Sequence, residues 1–162
     1  MAKTAPKSTR ATQALERAGI RCSLHAYDYD PDAQRIGLQA AEALGVAPDR
    51  VLKTLMAAVD GRPVCLLVAS DREVSMKRVA AAFAGKGAAM LKPAEAERLT
   101  GYHVGGISPL GQKRSFPTAI DAGSLGDPGA EIHINGGGRG LQIRLTEADL
   151  VAALQALVVP LT

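Results

Sequence analysis

The sequence has no tryptophan, and aromatic residues make up only 3% of it. A core without large rings must come from Ala, Leu, Val and Ile, and a hydrophobic content of 47% is enough for one such core. Cysteine is scarce as well: Cys22 and Cys65, each in an apolar strand-like run, are the only two. A disulfide scaffold or a zinc knuckle needs more cysteines at tighter spacing, so both are excluded, and two buried thiols in a reducing compartment are expected. No apolar run approaches the ~20 residues of a membrane span. The opening MAKTAPK is basic and polar with no apolar stretch behind it, which does not fit a secretion signal. The chain therefore reads as soluble and cytoplasmic, with no membrane partner.

A strong excess of one charge is also missing. Nineteen basic against sixteen acidic residues give +3, which permits an RNA partner without demanding one. Charged residues of both signs, 22% of the chain, are interspersed, which argues against wholesale disorder. A length of 162 residues fits one domain, since two cores would each be thin.

What is present reads as a loose tail over residues 1–7 followed by one domain over 8–162. Ser8 or Thr9 caps a helix to about Ala18, stopped by Gly19. Ile20 to Tyr27 alternates like a strand, and a second helix runs from about Ile36 to Leu44, ending at Gly45. Val51 to Val59 and Pro63 to Ser70 are β-rich runs joined at Asp60-Gly61, a strong hairpin signal. Ser75 opens an Ala-rich helix to about Ala84. A short run near Ala88 to Leu91 precedes a helix with Pro93 in its first turn and Gly101 after it. Phe116 to Ile120, Glu131 to Ile134 and Leu141 to Leu145 read as strands. Thr146 caps a last helix to about Leu157, with Asp149 at the capping-box position. This order is neither strict βαβ alternation nor strands followed by helices. It predicts an α+β domain with a curved mixed sheet flanked by helices.

Two loops are rich in glycine: Gly101 to Lys113, GYHVGGISPLGQK, and Asn135 to Leu141, NGGGRGL. Glycine allows positive φ and close approach of main chain to a ligand, at an entropic cost. Two such loops in one small domain point to main-chain N–H groups aimed at an anionic or carbonyl oxygen, although plain turns between short strands would also use them. The common templates fail. GxGxxG is absent, because Leu141 stands where the last glycine is required, and there is no GxxxxGK[ST] phosphate loop. GxSxG nearly fits at Gly106-Ile107-Ser108, but Pro109 has no N–H for an oxyanion hole, so Ser108 is a binder rather than a nucleophile. His25, His103 and His133 lack metal-ligand spacing, and no metal or other cofactor is expected. Lys53 lies within the otherwise apolar run Val51-Leu52-Lys53-Thr54-Leu55-Met56. On an apolar face it must find an anion or lose its charge; at an edge it simply snorkels.

LKTL at 52–55, TGYHVGGISPLGQK at 100–113, Asp121 at a strand end and GGGRGL at 136–141 together resemble the YbaK/EbsC family. These are free-standing relatives of the editing domain inserted into bacterial prolyl-tRNA synthetases. LHAYDYDPDA at 24–33 and AAEALG at 40–45 fit the same family, so the resemblance runs from about Thr12 to Leu157. It implies a single curved mixed sheet, partly barrel-like, with flanking helices and a cleft for the aminoacylated 3′ end of a tRNA. It also implies deacylation of mischarged Cys-tRNA(Pro), with aminoacylated tRNA(Pro) and prolyl-tRNA synthetase as partners and no role for DNA.

By the same resemblance Lys53 is the catalytic residue. Tyr27, Thr54, Tyr102, Gly105, Gly106, Ile107, Ser108, Asn135, Gly137, Arg139 and Gly140 are the substrate-binding residues. Two positions depart from the family: Asn135 replaces the usual serine, and Gly138 stands where many relatives have a cation. No protein nucleophile is evident, so positioning and main-chain amides around Gly105–Ile107 and Gly137–Gly140 carry the expected mechanism; the resemblance implies in addition that the substrate's own thiol attacks its ester carbonyl. A deacylase for another small residue such as Ala-tRNA(Pro), a non-catalytic tRNA or synthetase accessory module, and a nucleotide-binding protein remain as alternatives.

Overall fold

The computed structural model describes residues 8–32 and 36–162; the expected tail at 1–7 lies outside them. Helix α1 (Arg10–Arg17) starts at Thr9, whose hydroxyl accepts from the Thr12 amide while the Thr12 hydroxyl accepts from the Thr9 amide. Strand β1 (Ser23–Ala26) and helix α2 (Ile36–Leu44) follow, then a short 3₁₀ turn at Pro48–Arg50. Strands β2 (Leu52–Val59) and β3 (Arg62–Ala69) form the expected hairpin. Asp60 and Gly61 both take positive φ, 50° and 81°, as a two-residue hairpin turn of the primed type requires. The Asp60 carboxylate accepts from the Lys86 and Gly87 amides, which hold its pKa below the usual value.

Helix α3 (Met76–Ala82), strand β4 (Ala88–Met90) and helix α4 (Pro93–Thr100) come next. Strands β5 (Thr118–Asp121), β6 (Glu131–Asn135) and β7 (Leu141–Thr146) lead into helix α5 (Glu147–Leu154) and strand β8 (Leu157–Val159). The last helix is shorter than its sequence suggests. Gln155 takes a left-handed conformation, and Leu157–Val159 leaves the helix to pair in parallel with β5. A β-branched pair at the chain end fits a sheet edge better than another helical turn.

The expected curved sheet is realised as two sheets without a closed barrel. One has five strands in the order β4-β2-β3-β5-β8, the other three in the order β1-β7-β6, and a single parallel bridge, Val51 to His133, joins them. Strand alternation explains the layers. Cys65 and Leu67 of β3 join Leu15, Leu52, Met56, Ile132, Ile134, Ile143, Leu145 and Leu150 in the core between the sheets. Val64 and Leu66, on the opposite face of β3, pack with Val79 of α3, Ala119 and Leu161. The five-stranded sheet is thus covered on both faces. The three-stranded sheet buries Leu24, Ile143 and Ile134 but turns His25, Gln142 and Asn135 to its other face, in register.

The thiols divide. Cys65 is buried, and burial pushes its pKa up to about 12. Cys22, expected to be buried, is exposed, because the chain joins the sheet only at Ser23. Among the described residues no helix is long and apolar enough to cross a membrane.

Candidate functional site

The two glycine loops meet. One side chain ties them: the Asn135 amide nitrogen donates to the Gly105 carbonyl at 3.1 Å, and its oxygen accepts from the Gly137 and Gly138 amides at 2.8 and 3.3 Å. Arg139 adds a second tie, its Nε donating to the Val104 carbonyl at 3.0 Å. Glycine is required at the contact. A Cβ on Gly106 would lie 2.9 Å from the Arg139 nitrogen and 3.0 Å from the Gly138 carbonyl carbon. At Gly105, φ is +90° and a Cβ would run into the Tyr29 hydroxyl.

A cleft of about 240 Å³ opens beside this junction. Its walls come from β2 (Leu52, Lys53, Thr54, Leu55), from the first loop (Val104, Gly105, Ile107) and from Tyr27, Ala40, Val51, Ser70, Asn135 and Gln142. Six of the sequence-predicted site residues therefore share one wall system: Tyr27, Lys53, Thr54, Gly105, Ile107 and Asn135. Lys53 is the cation among the lining residues. Its ammonium stands 3.4 Å from Glu73 Oε1, but the Glu73 side chain is 92% exposed, so solvent screens that pair and it holds the amine weakly.

The other predicted residues, Arg139 excepted, stand behind the wall. Tyr102 is buried and donates its hydroxyl to the Leu110 carbonyl at 2.7 Å; burial pushes its pKa up to about 12. Ser108 is fully buried, and its hydroxyl accepts from the Leu110 amide at 3.2 Å. Gly137 packs against the Tyr102 ring, where a Cβ would lie 3.0 Å from the ring edge. Gly140 pairs with Tyr27, whose amide donates to the Gly140 carbonyl at 2.9 Å. Arg139 lies on the outer rim, its guanidinium 5.6 Å from the Tyr29 ring centroid. Asp121 is buried away from these residues, accepting from the Leu161 amide and the Ser124 hydroxyl.

The candidate amide donors narrow in number. Gly106 already donates to the His103 carbonyl, and Gly137 and Gly138 donate to Asn135. Among the described residues, the amides of Gly105 and Ile107 carry no hydrogen bond. Gly105 and Ile107 thus line the same small cleft as Lys53. Burial raises the Tyr27 pKa, which keeps the phenol a neutral donor at physiological pH.

Sequence reasoning missed Gln142, a buried side chain on the wall whose amide oxygen has no hydrogen-bond partner among the described residues. The signal was present: Gln142 is a polar residue in an apolar strand, directly across from Asn135. The cleft can receive a slim polar group carrying negative charge or a carbonyl, held between β2 and the joined loops. A larger groove of about 590 Å³, lined by Leu110, Arg114, Phe116, Thr118 and Leu154 among others, contains none of the predicted site residues.

A family model described as an aminoacyl-tRNA editing domain matches residues 30–153. The chain is 33% identical over 113 residues to EbsC of Enterococcus faecalis, named as a candidate Cys-tRNA(Pro)/Cys-tRNA(Cys) deacylase; the match covers 69% of this chain and 68% of that one. A proline–tRNA ligase of Acidithiobacillus ferrooxidans is 29% identical over 119 residues, which is 69% of this chain but 21% of the ligase. A solved structure described as a candidate trans-editing enzyme for prolyl tRNA synthetase superposes with a TM-score of 0.80 at 25% identity, covering 99% of each chain.

Proposed function

Because the chain belongs to the aminoacyl-tRNA editing domain family, we propose that it is a trans-editing deacylase that clears mischarged Cys-tRNA(Pro) in the cytoplasm. One observation carries the reading: Lys53 lines a single cleft together with Gly105 and Ile107, whose amides carry no hydrogen bond among the described residues. An aminoacyl ester is already activated, so the protein has to hold it and to stabilise the oxyanion that forms on its carbonyl. Lys53 anchors the 3′-terminal nucleotide through its phosphate or ribose oxygens, and the amides receive the oxyanion.

Among the described residues there is no Ser–His or Cys–His pair at the cleft, and Ser108 is sealed off in the core. The substrate's own thiol therefore acts as the nucleophile. Its sulfur bonds to the ester carbonyl carbon, the carbon–oxygen ester bond breaks, and the thiol proton ends on the departing ribose hydroxyl. Water then opens the cyclic thioester. With so little surface near the cleft, selection of tRNA(Pro) falls to prolyl-tRNA synthetase acting with this protein.

The test is a deacylation panel of Cys-, Ser-, Ala- and Pro-charged tRNA(Pro), run with the wild type and Lys53→Ala. Cys-tRNA should be cleared at least tenfold faster than Ser-tRNA, which is nearly the same size but less nucleophilic. Lys53→Ala should lower kcat/KM by about 10²-fold, roughly 2.7 kcal/mol of transition-state stabilisation, with an unchanged melting curve. Equal rates for Cys and Ser would replace thiol attack by attack of water. Preference for the Ala ester would move the substrate assignment to Ala-tRNA(Pro).

A further inference from the structure

We propose that four exposed cations, Arg10, Arg98, Lys113 and Arg114, continued to the cleft rim by Arg139, form a track for the phosphate backbone of an RNA whose 3′ end occupies the cleft. The inference rests on the deacylase reading only for what sits in the cleft; the track itself follows from the placement of charge.

The cations are contiguous although they come from distant parts of the chain. Gly101 lies between two of them: a Cβ there would stand 2.9 Å from an Arg10 guanidinium nitrogen and 3.6 Å from the Lys113 Cβ. Lys113, Arg98 and Arg114 together line one hollow with Leu99. The Lys113 amide donates to the Thr100 carbonyl at 2.8 Å, which closes the base of the first glycine loop and fixes Lys113 beside α4. At the other end Thr9 donates its hydroxyl to the Gly136 carbonyl at 2.6 Å. That bond sets the start of α1, and with it Arg10, against the second loop. Arg139 then reaches the Val104 carbonyl on the cleft wall. The path from cleft to patch thus runs through direct contacts.

Counter-charge is sparse along it. Glu95 pairs with Arg98 at 3.7 Å, and both side chains are largely in water, so the pair is weak. Glu97 accepts from the Val104 amide at 2.8 Å, pairs with His103, and also attracts Arg139 at longer range. Among the described residues, Arg10, Lys113, Arg114 and Arg139 stand in no ion pair. Arg114 lies over the Phe116 ring, 5.0 Å from its centroid, which steadies the guanidinium while leaving its edge free to donate.

Like charges gathered on a chain of net charge only +3 repel one another, so the cluster favours a polyanion. Several cations continued to the cleft rim match the repeating phosphates behind an aminoacylated end better than they match one isolated phosphate. It also answers how a cleft of about 240 Å³ can hold a tRNA: the cleft takes the last nucleotide and the track takes the strand behind it.

Two variants test this, Arg10→Glu and the double variant Lys113→Glu/Arg114→Glu, with Lys77→Glu/Lys86→Glu on the α3 side as the control. Binding of uncharged tRNA is measured by fluorescence anisotropy across a salt series. Deacylation is measured on full-length Cys-tRNA(Pro) and on 3′-cysteinyl-adenosine. The double variant should weaken tRNA binding and raise KM for the full-length substrate at least tenfold. Its slope of log K against log salt should fall by about one per cation removed. The adenosine fragment and the α3 control should behave as in the wild type. Unchanged binding and salt slope would overturn the track. So would a variant that binds tRNA normally but no longer associates with prolyl-tRNA synthetase, since the patch would then be a protein-docking surface. A wild type that binds tRNA through these cations yet hydrolyses neither substrate would sink the deacylase reading and leave the track standing.

Discussion

Asn135 shows how one side chain organises its surroundings. Its amide group donates across to Gly105 and accepts from Gly137 and Gly138. A hydroxyl is shorter and offers one proton, so it cannot span both loops while serving two amides. The role of Asn135 is therefore structural, and it fixes the loop that forms the cleft's far wall. Asn135→Ala leaves one carbonyl and two amides without partners; the site is only partly buried, so the cost is about 1–3 kcal/mol rather than the sum of three full penalties. Urea unfolding should register that loss, and KM should rise more than kcat falls as the loop loses its register. Asn135→Ser should recover part of the stability because an acceptor remains. A variant with wild-type unfolding and kinetics would mean that the loops hold together without this side chain.

At the scale of elements, the site depends on where α1 begins. Thr9 does two things with one hydroxyl group: it accepts from the Thr12 amide to cap the helix, and it donates to the Gly136 carbonyl of the second loop. Loss of a threonine cap costs about 0.5–2 kcal/mol, and the tertiary hydrogen bond adds about 1 kcal/mol. Thr9→Ala should therefore destabilise the protein by about 1–3 kcal/mol in urea, and Thr9→Ser should restore most of it. A loss no greater than that from an exposed mid-helix Thr→Ala change would show that the contact with the loop contributes nothing. The cap was legible in the sequence as Ser8 or Thr9 before a periodic run. Its bond to a residue 127 positions away was not, because helix signals are local. Strand β8 was hidden for a similar reason. Val158 and Val159 follow an Ala-Leu-rich helix, and only the open edge of β5 turns them into a strand.

At the scale of the whole molecule, the two sheets differ in what they do with their second face. The five-stranded sheet buries both, whereas the three-stranded sheet leaves a polar face that runs from the cleft at Gln142 and Asn135 to His25 and His133. His133 is buried there, its Nδ1 without a partner among the described residues, 5.6 Å from the His25 ring. Burial, and then His25, hold its pKa below the ordinary value; Arg144 adds to that, while Glu131 and the Arg50 main chain oppose it. The unfolded chain therefore takes up this proton at a higher pH than the folded one. The stability contributed by the neutral ring is complete above the ordinary imidazole pKa of ~6.5 and is lost as pH falls toward the depressed folded value. Chemical denaturation between about pH 7 and pH 5 should show stability falling with acid, and a shallower slope for His133→Gln. Equal slopes in the two proteins would assign the acid sensitivity to other groups.

The sequence by itself determined the elements and the chemistry available to them. Residue periodicity, the Asp60-Gly61 turn and the caps at Thr9, Ser75 and Thr146 are local, and local preferences survive into the fold because the core agrees with them. The glycines marked the loops, since close main-chain contact demands them whatever the partner. Only the tertiary structure decided which side chains share a space. It separated Tyr102 and Ser108 from the cleft, brought Gln142 to it, left Cys22 in solvent and gathered cations from residues 10, 98, 113 and 114. The physical reason is range. A helix cap or hairpin turn is settled by neighbours a few residues away. Burial, desolvation and the meeting of charges depend on surfaces that exist only once two sheets have closed on one core.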